Sequence, residues 1–185
     1  MPVSNSTQLN QACRVLENGG VIICPTDTIP GLSCLPTQTA ALQKILAIKK
    51  RPVDKGLILI ANQLSFVEPY IEPVSTKHQE RINNSNTPTT WLAKARNTVN
   101  QMITGKHSTL AFRICDHDVV SHLCEALQQP LVSTSANIHG QTTVSSNEEI
   151  SAQVIDQVDV VLSGAVGTKK ASIIRRLDDD KVIRS

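Results

Sequence analysis

Hydrophobic positions along the chain switch repeatedly between a helical and an extended period. Leu9, Ala12, Cys13 and Leu16 recur at i, i+3, i+4 and i+7, which predicts a first helix capped by Ser6 or Thr7 and ended by Gly19-Gly20. A strand follows at Val21–Cys24. Leu42, Ile45 and Leu46 give one apolar face to a helix from Thr39 to Lys49, and Pro52 disfavours helical geometry at Arg51. The continuous apolar run in Gly56–Ala61 predicts a buried strand. Residues 63–83 read as short, interrupted helix and Thr89–Ala93 as a weak strand. Residues 95–108, poor in apolar side chains, read as a mobile loop.

Thr109–Cys115 alternates Leu110, Phe112 and Ile114 with Thr109, Ala111, Arg113 and Cys115, so Arg113 points away from the apolar set. Asp116 is placed to cap a helix with the face Val120, Leu123, Cys124 and Leu127. Pro130–Ser133 is a short strand running into a polar loop, Ser133–Gly140. Ser146 and Glu149 have capping-box spacing for a helix to about Val154, and strands are predicted at Val158–Leu162, Ala171–Arg175 and Lys181–Ile183. These elements interleave without a repeat or a Pro/Gly-rich linker. They predict an α/β fold, a single domain over residues 7–185 with a twisted mixed sheet and flanking helices.

Composition removes several function classes. A hydrophobic share of 40% in 185 residues supports one buried core. A net charge of +2 is too balanced to imply a strongly basic nucleic-acid arm or an acidic tail, so any anion site is local. Phe66, Tyr70, Trp91 and Phe112 are too few and scattered for an aromatic platform under single-stranded nucleic acid. Cys13, Cys24, Cys34, Cys115 and Cys124 contain no C-x-x-C pair and read as free thiols in a reducing compartment. The N-terminus lacks secretory-signal features, and the longest apolar run, Leu57–Ala61, is far short of a bilayer span. The expectation is a cytoplasmic protein without a membrane partner.

The P-loop, dinucleotide-binding, zincin and nucleophile-elbow motifs are all absent, and His78, His107, His117, His122 and His139 show no ligand spacing. Three polar clusters remain. Lys49-Lys50-Arg51-Pro52-Val53-Asp54-Lys55-Gly56 joins a helix C-terminus to a buried strand. It reads either as a solvated face complementing the helix dipole or as a triphosphate clamp, with Arg51 as a planar fork and Lys49 and Lys55 as point charges. Ser133-Thr134-Ser135-Ala136-Asn137 follows a strand and reads as a hydrogen-bonded turn or a holder of phosphate oxygens. Pro25-Thr26-Asp27-Thr28-Ile29-Pro30-Gly31 has the same two readings.

Taken in order, C-P-T-D-T-x-x-G, K-x-R-P-x-x-K-G-L, L-A-F-R, S-T-S-A-N and A-S-I-I-R resemble the YrdC-like threonylcarbamoyl-AMP synthases from about residue 7 to 176, in their short bacterial form. The resemblance implies a nucleotidyltransferase that joins ATP, L-threonine and bicarbonate into threonylcarbamoyl-adenylate and pyrophosphate. A downstream threonylcarbamoyl transferase complex then modifies tRNA with the product. By the same resemblance, Lys49, Arg51, Lys55, Thr109, Ser135 and Asn137 bind ATP, while Thr28, Arg113, Ser133 and Ser172 surround threonine. Arg175 or Arg176 reaches the nucleotide from the C-terminal segment. Mg²⁺ accompanies ATP with no protein ligand set, and no residue acts as a nucleophile; catalysis is positioning and charge neutralisation. Departures are Pro30 where the family usually has Tyr or Phe, Ser85-Asn86-Thr87 where it often has W-P-G, and Ile60 where longer relatives carry His. The alternative from another class is a binding module for double-stranded RNA or tRNA, its basic turn and Arg113 reading the backbone by shape.

Overall fold

Capping residues set where the helices begin, and alternation along the strands decides which side of the sheet is sealed. The computed structural model describes residues 5–168 and 170–185. α1 (Ser6–Glu17) is capped by Asn5 rather than by Ser6 or Thr7. Asn5 Oδ1 accepts from the Gln8 amide at 3.0 Å and Gln8 Oε1 from the Asn5 amide at 3.1 Å, so two orphan donors are satisfied reciprocally. There follow β1 (Ile22–Cys24), β2 (Gly31–Cys34), α2 (Thr39–Lys49), β3 (Ile58–Ala61), α3 (Thr76–Asn83), β4 (Thr89–Lys94) and α4 (Gln101–Thr104). The second half adds β5 (Thr109–Ile114), α5 (Asp118–Leu127), β6 (Leu131–Ser135), α6 (Ala152–Ile155), β7 (Val160–Val161), β8 (Ile173–Arg176) and β9 (Val182–Arg184).

The nine strands form one mixed sheet in the order β7-β1-β2-β6-β3-β5-β4-β8-β9. β1/β7, β3/β5 and β4/β8 are parallel pairs and the rest antiparallel. Side chains on paired strands share a face. Leu59, Leu110, Phe112 and Val132 lie on one side and are completely buried. The other side carries Ile58, Ile60, Arg113, Ser133 and Ser135, in register across β3, β5 and β6, and this is the side that opens into a cleft.

The structure departs from the expected elements in several places. β2 goes unpredicted because Pro30 and Gly31 carry turn signals. Pairing with β6 overrides them, and a Cβ at Gly31 would stand 2.5 Å from Ser133 Oγ. The segment 95–108 is no mobile loop: Asn100 caps α4, Ile103 is buried, and Ile103 O accepts from the Leu57 amide at 2.8 Å. His117, not Asp116, caps α5, with Nδ1 accepting from the Val119 amide at 3.2 Å. The Ser146/Glu149 capping box does not form. Glu149 accepts from the amide and hydroxyl of Ser145, and the segment makes one 3₁₀ turn before the short α6. All five cysteines are free, and among the described residues no helix is long and apolar enough to cross a membrane.

Candidate active site

The basic turn owes its geometry to the way α2 ends. Lys50 sits in the left-handed region at φ 49°, its amide bonds to Ala47 O and that of Arg51 to Leu46 O, a Schellman closure made without glycine. This reversal leaves Lys50 exposed and turns Arg51 into the cleft lining. There the Arg51 guanidinium donates from Nε to Gly56 O at 3.0 Å and from Nη2 to Lys55 O at 3.3 Å, so the turn's own carbonyls orient the fork. The Lys55 side chain is exposed, and only its carbonyl takes part.

Lys49 lies elsewhere than a phosphate clamp would put it. It is 2% exposed, and its ammonium donates to Ser135 O at 2.5 Å and Asn137 O at 2.6 Å, with Ser135 Oγ at 3.4 Å. Three protons thus meet three acceptors. Burial first, and nearby Arg51 second, lower its pKa from 10.5 to about 8. Lys49 is the pin of the Ser-Thr-Ser-Ala-Asn loop, whose Ala136 and His139 amides are tied to Pro30 O and Lys49 O.

Arg113, 6% exposed, lines the same cleft. Its Nη2 pairs with Asp27 Oδ1 at 3.0 Å and reaches Thr26 Oγ1 at 3.4 Å, while its Nε is buried without a partner. An unpaired charged donor beside a cavity is an unmet demand for an anionic acceptor. Thr28, Ser133 and Ser172 line the same space, the Ser172 hydroxyl being held 2.7 Å from Thr90 Oγ1. Thr109 is on the same strand face as Arg113 but four residues away, about 13 Å at 3.3 Å per residue, and is not among the cleft-lining residues.

Two lining residues escaped sequence reasoning. Neither Arg175 nor Arg176 is among the cleft-lining residues; they are paired with Asp180 at 3.0 Å and Asp179 at 3.5 Å, and the C-terminal cation in the cleft is Arg184, brought opposite Ile174 by the β8–β9 hairpin. Arg184 donates to Ser172 O at 3.1 Å and stands near enough to Arg51 to lower that guanidinium's pKa, after burial, the larger cause. The Asp-rich hairpin turn at residues 178–180 is the signal that could have placed it. Thr143 is the second. It joins the cleft, of about 150 Å³, to a neighbouring cavity of about 400 Å³ lined by Asn137, Gln141, Thr143 and Val144. Asn137 donates to Ile138 O and Gln141 O, and its Oδ1 is buried and unpartnered. The two spaces together match the size of a nucleotide and a small amino acid; either alone is too small for both. The residues lining the cleft include no carboxylate, the neighbouring cavity includes one, Glu149, and among the described residues no cluster of three His, Cys, Asp or Glu could hold a metal.

The model for the Sua5/YciO/YrdC domain, described as "Telomere recombination", matches residues 14–185. The chain is 38% identical over 179 residues to the threonylcarbamoyl-AMP synthase of Stutzerimonas stutzeri, covering 96% of each. Among solved structures it is similar to E. coli YciO, with a TM-score of 0.85, 28% identity, and 98% of this chain and 90% of that one covered. P. abyssi Sua5 complexed with L-threonine shares the fold, with a TM-score of 0.86 at 22% identity, over 94% of this chain and 52% of that one.

Proposed function

The chain belongs to the Sua5/YciO/YrdC family, and from that premise we propose that it is a threonylcarbamoyl-AMP synthase. The observation that carries the reading is one cleft with two unlike kinds of cation: Arg51 and Arg184, close enough for one to perturb the other, and Arg113 with an orphaned Nε among hydroxyls. The first suits a triphosphate, the second an amino acid's carboxylate.

The reaction needs no protein nucleophile. The threonine amine adds to bicarbonate and loses water to give a carbamate. A carbamate oxygen attacks the α-phosphorus of ATP, the bond to the β-phosphate breaks, and pyrophosphate leaves. What remains for the protein is positioning and charge stabilisation. Arg51 and Arg184 neutralise phosphate charge; Ser135 and the Asn137 amide group border the nucleotide, held in place by Lys49. Arg113 fixes threonine, with Thr28, Ser133 and Ser172 around it. Mg²⁺ enters with ATP as part of the substrate: the cleft lining offers hydroxyls, and the one carboxylate of the adjoining cavity, Glu149, accepts from the amide and hydroxyl of Ser145. The enzyme works in the cytoplasm, where ATP and reduced cysteines coexist, and hands its labile product to a threonylcarbamoyl transferase complex acting on tRNA. The double-stranded-RNA alternative is less well supported, because Arg51 and Arg113 line the cleft and Lys49 is buried, which leaves only Lys50 and Lys55 of its cations exposed.

The test is mass spectrometry of reaction mixtures containing ATP, L-threonine and bicarbonate. The mixed carbamoyl-phosphate anhydride is expected only when all three are present. Adenylate formation with any one of them omitted rules the assignment out.

A further inference from the structure

The cleft presents three arginines, yet they differ in compensation. Among the described residues Arg51 and Arg184 form no ion pair; their partners are the carbonyls of Gly56, Lys55 and Ser172. Arg113 alone has a carboxylate, Asp27, whose side chain is 11% exposed. Asp27 does not line the cleft; it pairs with Arg113 from outside the lining and is held through its carboxylate, its carbonyl and the neighbouring Thr26. Cys115 Sγ donates to Asp27 Oδ1 at 3.1 Å, the Thr168 amide donates to Asp27 O at 3.0 Å, and the Gly167 amide donates to Thr26 O at 3.0 Å. Burial, followed by the Asp27 carboxylate, pushes the Cys115 thiol up to about 12, so that donor stays protonated.

An uncompensated buried guanidinium attracts any anion, and phosphate oxygens are better competitors for it than a single carboxylate. A triphosphate in the same cleft would therefore find three arginines nearly equivalent unless one were neutralised. We infer that Asp27 is a specificity-determining residue that cancels the charge of Arg113 and so sorts the two substrates, reserving that part of the cleft for a zwitterionic amino acid and leaving phosphate to Arg51 and Arg184. The inference rests on the synthase reading. It adds that the order of substrates along the cleft is set by a residue that touches neither.

The experiment is calorimetric titration of the full chain with inorganic pyrophosphate, with and without saturating L-threonine. For the wild type, one pyrophosphate per chain is expected, with an affinity that threonine changes by less than about fivefold, the lower edge of ordinary site coupling. Asp27→Asn keeps the shape and removes the charge. It is expected to bind a second pyrophosphate that threonine displaces, and Arg113→Met in that background is expected to abolish the second site. An Asp27→Asn protein that still binds one pyrophosphate overturns the inference while leaving the synthase reading intact. If Asp27→Asn does not fold, the wild-type titration decides: a pyrophosphate displaced by threonine overturns the inference. A wild type that binds neither pyrophosphate nor threonine removes the synthase reading and the inference together.

Discussion

Replacing Lys49 by Met keeps an unbranched side chain of similar length and removes the ammonium. The displacement of its pKa from 10.5 to about 8, at 2% exposure, corresponds to about 3 kcal/mol by which the folded protein disfavours the charge, a burden that Met lifts. Against this, Ser135 O and Asn137 O lose their short donors, at about 1–3 kcal/mol for each buried group left unsatisfied. The two nearly offset. The net loss of stability is expected below the roughly 3–5 kcal/mol that accompanies removal of one partner of a buried ion pair. The loop, by contrast, loses its pin. Hydrogen exchange at the Ala136 and His139 amides should accelerate, and affinities for ATP and AMP should fall by the same factor. A variant that loses ATP affinity while AMP binding and loop exchange stay unchanged would mean that Lys49 contacts the terminal phosphates, and the pin assignment would be wrong.

Other expectations follow from the same geometry. Arg51→Lys is expected to weaken ATP binding about 10–150-fold, the worth of one charge-assisted bond of 1.5–3 kcal/mol, because an ammonium cannot hold Gly56 O and a phosphate in one plane; Lys50→Ala, at an exposed position, is expected to change ATP affinity little. Lys50→Gly relieves a left-handed residue and is expected to stabilise the fold by about 0.5–1 kcal/mol, read as a rise in Tm of a few degrees. Gly105→Ala places a Cβ 2.4 Å from Asp54 O at φ +66° and is expected to raise the KM for ATP, whereas Gly19→Ala, at φ +78° with only a flexible Gln38 side chain at 3.5 Å, shares the strain but spares the KM. For pH, the folded pKa of Lys49 lies below its unfolded value, so between about 8 and 10.5 the unfolded chain holds the extra proton and stability from this group rises with pH. Urea midpoints of the wild type should therefore gain on those of Lys49→Met between pH 7.5 and 10; a constant difference contradicts the shift.

Strand alternation is a local signal, and the part of the site that depends on it is legible in the chain. The apolar alternation of Leu110, Phe112 and Ile114 suffices to put Arg113 on the opposite face, and the pairing Ile60↔Arg113 makes that face the cleft floor. What escapes depends on non-local contacts. β2 is hidden behind Pro30 and Gly31, whose turn signals yield to a partner strand about a hundred residues downstream. Lys49 reads as a surface cation at a helix end, and only the return of β6 converts it into a buried one. Arg184 belongs to no motif, and the hairpin alone delivers it. The low apolar content of 95–108 suggests mobility, yet backbone bonds from Leu57 to Ile103 O and from Lys106 to Asp54 O fasten that segment to the basic turn.

On the proposed mechanism adenylate transfer goes directly to a carbamate assembled in the cleft, with no adenylylated or acylated protein on the way. Exchange of labelled pyrophosphate into ATP reads this most directly, because it reports reversal of the bond-breaking step. Exchange is expected only when L-threonine and bicarbonate are both present, and Arg113→Ala should abolish it at threonine concentrations that saturate the wild type. Exchange with ATP alone, or with bicarbonate but no threonine, would contradict the account.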